Sequence, residues 1–387
     1  QRDGVEAVAG GFGADGCWEA ALARHAVVAM GRLGGREIGY ASDADVLFVH
    51  EARDGADDAA AAQEAEAVAK QVVGLLASAR PHPLEVDSDL RPEGRQGVMS
   101  RSLAAYGEYY GRWAALWERQ ALLRARACAG DRELGGRFEE LINPLRWAEG
   151  GLSTQDLREI RRIKARVETE RLPRGINPVR HLKLGPGGLS DVEWSAQVLQ
   201  LAHAGQITGL RTTSTIAALQ AAVQGGLLSA DDGGVLVAAW ILASRLRCAI
   251  VLGTGRASGP RSQVLPVQIR EIRLVGRLIG LGSGRERELE DIYRRSARHT
   301  RTVAERIVFA DGGGVQESPS SASSPSTSTS AARDQAPSSA PDRSAAPARK
   351  TRKRPRRDAG TTGTMRSRGT GRNRATRRRP EGPYPWS

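Results

Sequence analysis

Four aspartates in two short segments carry the chemistry this chain could do. "SDADVLFVH" (42–50) sets Asp43 and Asp45 one residue apart at the mouth of an apolar run. Residues i and i+2 of a strand point to the same side, so the two carboxylates converge if residues 43–49 are extended. Carboxylates a few ångströms apart raise each other's pKa, and a divalent cation removes that penalty. A ligand set made only of oxygens suits Mg²⁺ or Mn²⁺ rather than zinc. "LEVDSDLRP" (84–92) offers a third carboxylate, Asp87 or Asp89, and both lie on one face if that segment is extended. Arg91, just beyond, could clamp a phosphate through its planar fork of donors.

Those residues need elements to hold them. "AVVAM" (26–30) and "DVLFVH" (45–50) read as short strands. Between them, Gly34 and Gly35 of "GRLGG" make a tight turn whose backbone N–H groups can approach a phosphate. A glycine pair, a short helical turn and Asp-x-Asp entering a strand together resemble the nucleotidyltransferase superfamily. That resemblance implies a third carboxylate on a neighbouring strand and two bound metal ions. One ion would lower the pKa of an attacking hydroxyl, and the other would neutralise the triphosphate and the departing pyrophosphate. Taken singly, each piece has an ordinary reading: glycines often end strands, and Asp-x-Asp often forms a capped turn.

Farther along, "DDAAAAQEAEAVAKQVVGLLASA" (57–79) predicts a helix. After residue 100 the pattern reads as helical throughout. Leu157, Ile160, Ile163 and Val167 form one apolar stripe over 157–172, capped by Ser153 or Thr154 and stopped by Pro173. Further helices are expected at 189–204, 212–224, 232–252 and 264–309. The fold class is therefore α+β. A connecting segment (1–24) leads into a nucleotidyltransferase domain with a small mixed sheet (25–145), followed by an all-α helical-bundle domain (146–310).

Residues 311–387 differ in kind. They hold 16 Lys/Arg against 6 Asp/Glu, a net of +10, which leaves only +3 of the total +13 for the rest of the chain. The basic pI of about 10.4 therefore belongs to the tail, and a nucleic-acid surface on the folded body is not indicated. With few apolar side chains to bury, this tail is expected to be disordered. It reads either as a solvated extension or as a basic arm for nucleic acid or an acidic partner. Cys17, Cys128 and Cys248 are scattered, which fits a reducing compartment without a disulfide framework. The longest apolar run (235–253) contains Arg245 and Arg247, as a buried core helix does and a membrane span does not. The chain reads as soluble and cytoplasmic, and its start at Gln1 reads as a piece of something longer.

Four motifs in this order resemble the glutamine synthetase adenylyltransferases: "GRLGGREIGYASDADVLFVH", "EVDSDLRPEGRQG", "WERQALLRARACAGD" and "HLKLGPGGLSDVEWSAQVLQL". The resemblance covers roughly residues 18–310. Members of that family have two similar halves, one adding AMP to a tyrosine of glutamine synthetase and one removing it by phosphorolysis. Gly39-Tyr40 before the aspartates and "WERQALLRAR" look closer to the AMP-adding half. The resemblance implies Asp43, Asp45 and Asp87 as catalytic metal ligands, with Asp89 a variable neighbour. It also implies ATP as substrate, glutamine synthetase as protein partner, and glutamine and a PII-type protein as effectors.

In "KLGPGGLSDVEW" (183–194), Gly185, Gly187 and Gly188 form a turn, and Asp191 and Glu193 open the next helix. Lys183 either supports that turn or reaches ATP phosphates across a cleft. Arg124 and Arg126 either line that cleft or are solvated, and Arg158, Arg161 and Arg162 read as a solvated helix face. Two rivals remain: the same site run as phosphorolysis, and a regulatory module that has lost catalysis.

Overall fold

The computed structural model describes residues 21–309, apart from 81, 258 and 283. Most of the expected connecting segment, Cys17 and the tail lie outside the described residues.

Two antiparallel strands form the centre of a five-stranded mixed sheet. β1 (Ala23–Ala29) pairs with β2 (Ala44–Ala52), with Ala29 opposite Val46. Both faces of β2 are covered, which is why "VLFV" is apolar without alternation. Leu47 and Val49 pack against Tyr106, Phe138 and Ile142, whereas Val46 and Phe48 meet Ala69 and Val72. The second pair of contacts comes from helix α2 (Asp58–Ser78), begun by Asp57, whose carboxylate accepts the Ala60 N–H at 2.9 Å. Between β1 and β2 runs a single helical turn, α1 (Gly31–Gly34). The outer edge of β2 holds two short parallel strands in succession. β3 (Val86–Asp87) pairs with Ala44 and Asp45, and β4 (Ser100–Ser102) with Phe48 to His50. Helices α3 (Leu103–Trp113) and α4 (Leu116–Leu122) follow.

The chain does not stay helical after residue 100. Residues Arg126–Gly130 form β5, antiparallel to β1 on its free side. "RACAG" is Ala-rich and lacks β-branched side chains, so its local preference gives no sign of a strand. Tertiary pairing decides it, with Gly135 of α5 (Arg132–Arg146) packed closely on Ala127.

The remaining helices form a bundle: α6 (Thr154–Glu170), α7 (Leu189–His203), α8 (Thr215–Gln224), α9 (Ala230–Thr254), α10 (Ile269–Leu278) and α11 (Leu289–Val308). Ser153 caps α6 and is bonded back by Asp156, while Ser214 rather than residue 212 starts α8. The single helix expected over 264–309 is two. Gly280 and Gly284, both at φ +90°, break it in a conformation that other residues avoid. α9 is long and apolar enough to cross a membrane by composition. It lies instead among its neighbours, burying Leu236, Ala239, Trp240, Ala243, Leu246 and Ile250 in the bundle core. Leu116 and Leu123, at the two ends of α4, share another cluster with Ile160, Ile163, Trp194 and Val308, so the bundle packs on the sheet half through α4.

Candidate active site

Asp45 and Asp87 are register partners across the parallel β2–β3 pair. Asp43 precedes β2 by one residue. The three offer carboxylate oxygens that all lie within 4.8 Å of one another. Asp87 accepts the N–H of Asp89 at 2.7 Å, which turns the chain and ends β3. Asp87 and Asp89 therefore do not share a strand face, contrary to the expectation from sequence. Asp89 is held instead by Arg95 at 2.6 Å, with Arg91 3.6 Å away.

The glycine that makes room for the carboxylates is Gly31. It sits at φ +48°, and a Cβ there would lie 2.1 Å from Asp45 Oδ2. Gly34 and Gly35 have another role. Their N–H groups donate to Met30 O (2.7 Å) and Gly31 O (3.2 Å), so neither is offered to a phosphate. A Cβ on Gly34 would lie 1.8 Å from Arg124 O, and one on Gly35 2.4 Å from Arg124 Nη1. The pair lets α1 pack against the backbone at residue 124. Arg91 is likewise no phosphate clamp: it is buried, donating to Gly97 O (3.1 Å), Ser88 O (2.8 Å) and Ser88 Oγ (3.0 Å). It rigidifies the loop after Asp87.

Lys183 comes from the bundle half and lines the same cavity as Asp43 and Asp45, a chamber of about 230 Å³. His181 shapes its approach. The imidazole Nδ1 accepts the Leu184 N–H at 3.0 Å, and burial, then Lys183 and Arg247, hold the ring neutral with a pKa near 4. Two cations that sequence reasoning did not single out share the chamber: Arg32 of α1 and Arg247 of α9. A signal for Arg247 did exist. An arginine inside an apolar helix is costly unless something uses it, and the sequence exploited this only to argue against a membrane span.

Charge in the chamber is unbalanced. Burial pushes Asp45 up to about 7, and Asp43 and Asp87 add to the rise, against the pull of Lys183. Asp87 is raised as well, chiefly by burial. Burial lowers Lys183, opposed by Glu193, with Asp43 and Asp45 also favouring its charge. Arg247 is brought down to about 10 by burial and by Arg32, which leaves it charged at neutral pH.

Arg124 and Arg126 neither line the cleft nor face solvent. Arg124 is buried and donates to Glu37 Oε2 (2.6 Å) and Thr215 Oγ1 (2.5 Å), while Glu37 Oε1 accepts the Thr215 N–H at 2.6 Å. Glu37 thus ties the loop that leads to Asp43 onto the start of α8. Arg126 donates to Gly34 O (3.1 Å) and Leu33 O (3.3 Å), fixing α1. Asp191 is buried against Lys164 at 2.5 Å, away from the chamber's carboxylates, whereas Glu193 acts on Lys183. On α6, Arg158 and Arg162 are exposed, but Arg161 donates to Val308 O at 2.8 Å and so helps dock α11.

Comparison with known proteins extends this geometry. Residues 13–141 match the family described as glutamate-ammonia ligase adenylyltransferase, and residues 159–308 match the GlnD PII-uridylyltransferase family. A bifunctional glutamine synthetase adenylyltransferase/adenylyl-removing enzyme of Streptomyces coelicolor is 54% identical over 289 residues, which is 74% of this chain and 28% of the relative. Proteins of the same name from Nocardia farcinica and Cutibacterium acnes are 48% and 45% identical, over 75% and 73% of this chain and 29% and 28% of their own. The chain thus spans little more than a quarter of the length of these curated relatives.

Proposed function

The chain belongs to the family of the bifunctional glutamine synthetase adenylyltransferase/adenylyl-removing enzymes, and on that premise we propose that it transfers AMP from ATP to a tyrosine of glutamine synthetase, releasing pyrophosphate. The observation that carries this reading is the convergence of Asp43, Asp45 and Asp87, the first two lining a chamber that Lys183 also lines.

An all-oxygen ligand set within 4.8 Å, with Asp45 short of countercharge, fits Mg²⁺ or Mn²⁺. Asp43, Asp45 and Asp87 would hold the ion, which when bound supplies charge neutralisation for the triphosphate and acidifies the incoming hydroxyl. The rest falls to the chain itself. A tyrosyl hydroxyl has a pKa near ~10 and must lose its proton to attack the α-phosphorus. Asp87, half-buried and with its pKa raised chiefly by burial, is the group to accept it. Lys183 draws the phosphates toward the carboxylates. Glu37 holds the Asp43 loop against the bundle, so effector signals, glutamine or a PII-type protein, would reach the site through α8.

Incubating the protein with labelled ATP, Mg²⁺ and glutamine synthetase tests the reading: label on a tyrosine is expected. The second reading is removal of AMP by phosphorolysis, favoured by the adenylyl-removing activity in the relatives' name. Release of ADP from adenylylated glutamine synthetase with phosphate, and no transfer from ATP, would assign this chain to that reaction instead.

A further inference from the structure

Among the described residues, five buried side-chain polar atoms have no hydrogen-bond partner, and three belong to walls of the one chamber: Arg32 Nη1, Ser42 Oγ and Gln263 Oε1. Each such atom is costly to bury unless something satisfies it. Their concentration in one place points to a ligand.

Arg32 cannot turn away to find a partner. Its guanidinium lies over the Trp240 ring at 4.9 Å, its Nε donates to Glu37 O at 3.0 Å, and its Nη2 donates to Ser244 Oγ at 3.3 Å. Only Nη1 is left over. Trp240, Ser244, Arg247 and Val251 follow at spacings of four, three and four along α9, so one face of that helix both holds Arg32 and presents Arg247. Arg32 depresses the pKa of Arg247, which places two like charges close together in a buried site. Among the charged residues lining the chamber, Arg32, Lys183 and Arg247 outnumber Asp43 and Asp45, which leaves room for a further anion. Arginine suits a phosphate because its donors match two oxygens at once. A chamber of about 230 Å³ is below the roughly 300–1,000 Å³ that encloses a whole drug-sized ligand, so it suits phosphate groups rather than a complete nucleotide.

We propose that Arg32, Arg247 and Ser42 form a phosphate subsite for the groups remote from the transferred AMP. It would hold the β- and γ-phosphates of ATP and the pyrophosphate they become, or orthophosphate when the reaction runs as phosphorolysis. This rests on the nucleotidyl-transfer reading above. It differs from the carboxylate cluster in drawing Arg247 from the bundle, so that the bundle contributes to substrate binding directly.

The test is isothermal titration calorimetry on the 387-residue chain with Mg²⁺ present, using ATP, pyrophosphate, orthophosphate and AMP as separate probes. Arg247→Ala and Arg32→Ala are expected to weaken pyrophosphate and ATP about tenfold or more, and AMP less than about threefold. Arg247→Lys should recover part of the loss, because it keeps the charge and loses the fork. Ser42→Ala removes an atom without a partner, so it keeps the fold, and should cost pyrophosphate a few-fold. Equal losses for AMP and pyrophosphate, or none for either in Ser42→Ala and Arg247→Ala alike, would overturn the subsite. Pyrophosphate binding that depends on Arg247, without AMP transfer in either direction, would keep the subsite and defeat the nucleotidyl-transfer reading. AMP transfer with pyrophosphate affinity indifferent to both arginines would do the opposite.

Discussion

Asp45 and Asp191 each stand beside a glycine in a left-handed turn, and the two sites behave oppositely. A Cβ on Gly187 (φ +74°) would collide with the backbone of Ala297, 1.8 Å from its carbonyl oxygen, so that glycine serves helix packing. Asp191, 2% exposed, accepts the Gly187 N–H at 2.7 Å, meets Lys164 at 2.5 Å and has Arg301 at 3.3 Å. Its charge is matched within the protein. Asp45 has Asp43 and Asp87 for neighbours, and Gly31 is small for its sake. A carboxylate neutralised from within is architecture. One left unneutralised among its own kind requires something from outside.

That contrast is most strongly tested by the same change made twice. Asp45→Asn removes a metal ligand from the proposed reaction, a loss of several kcal/mol in the transition state and hence about a thousandfold or more in AMP transfer. The variant should stay folded, as its circular dichroism and melting curve would report. Asp191→Asn, by contrast, takes the buried partner from Lys164 and leaves it only the half-buried Glu168 at 3.0 Å, and weakening such a buried pair costs at most about 3–5 kcal/mol. Its thermal midpoint should fall by several degrees. If Asp191→Asn melts like the parent, the internal pairing of Asp191 contributes nothing and the contrast fails.

The sequence made half of this legible. Asp43 and Asp45 stood out because their spacing matches the strand repeat and because oxygen-only ligands select a metal type. The core strands and the helices α2, α6, α7 and α9 were legible from periodicity and caps. β5 was hidden because Ala127, Cys128 and Ala129 have no local preference for a strand, and only β1 imposes one. The glycines misled for a related reason. Gly34 and Gly35 look available in the sequence, yet α1 uses both N–H groups internally, and only three-dimensional contact reveals Gly31 as the glycine that faces a carboxylate. Arg32 and Arg247 lie more than two hundred residues apart, and no local pattern joins them.

The next effect is smaller and depends on pH. Asp45 is held up to about 7 in the metal-free fold, against an ordinary carboxylate value in the unfolded chain. A raised pKa means the fold prefers the proton. The resulting stability is complete below the ordinary carboxylate range and disappears as pH climbs to about 7. In EDTA, Asp45→Asn should therefore exceed the parent in melting temperature at pH 8, by about 2–4 °C, and lose that advantage progressively as pH falls toward about 4. Mg²⁺ competes with the same proton, so its affinity should rise up to about tenfold per pH unit below about 7 and level off above. A melting difference between the two proteins that does not change with pH would show that Asp45 titrates in the ordinary carboxylate range.

The smallest effect belongs to the aspartate nearest the site that does not join it. Asp89 pairs with Arg95, whose side chain is 83% exposed, and so exposed a pair contributes little. Asp89→Asn should thus leave Mg²⁺ affinity and AMP transfer within about twofold of the parent. Asp87→Asn, two residues away, should impair both severely. Asp87 keeps its carboxylate on the β2 side because its own acceptance of the Asp89 N–H ends the strand there. Magnesium titrations of the two variants side by side decide the matter. Equal losses would mean that the turn after Asp87 opens when metal binds and brings Asp89 in as a fourth carboxylate, and the separation of the two aspartates would then hold only for the metal-free fold.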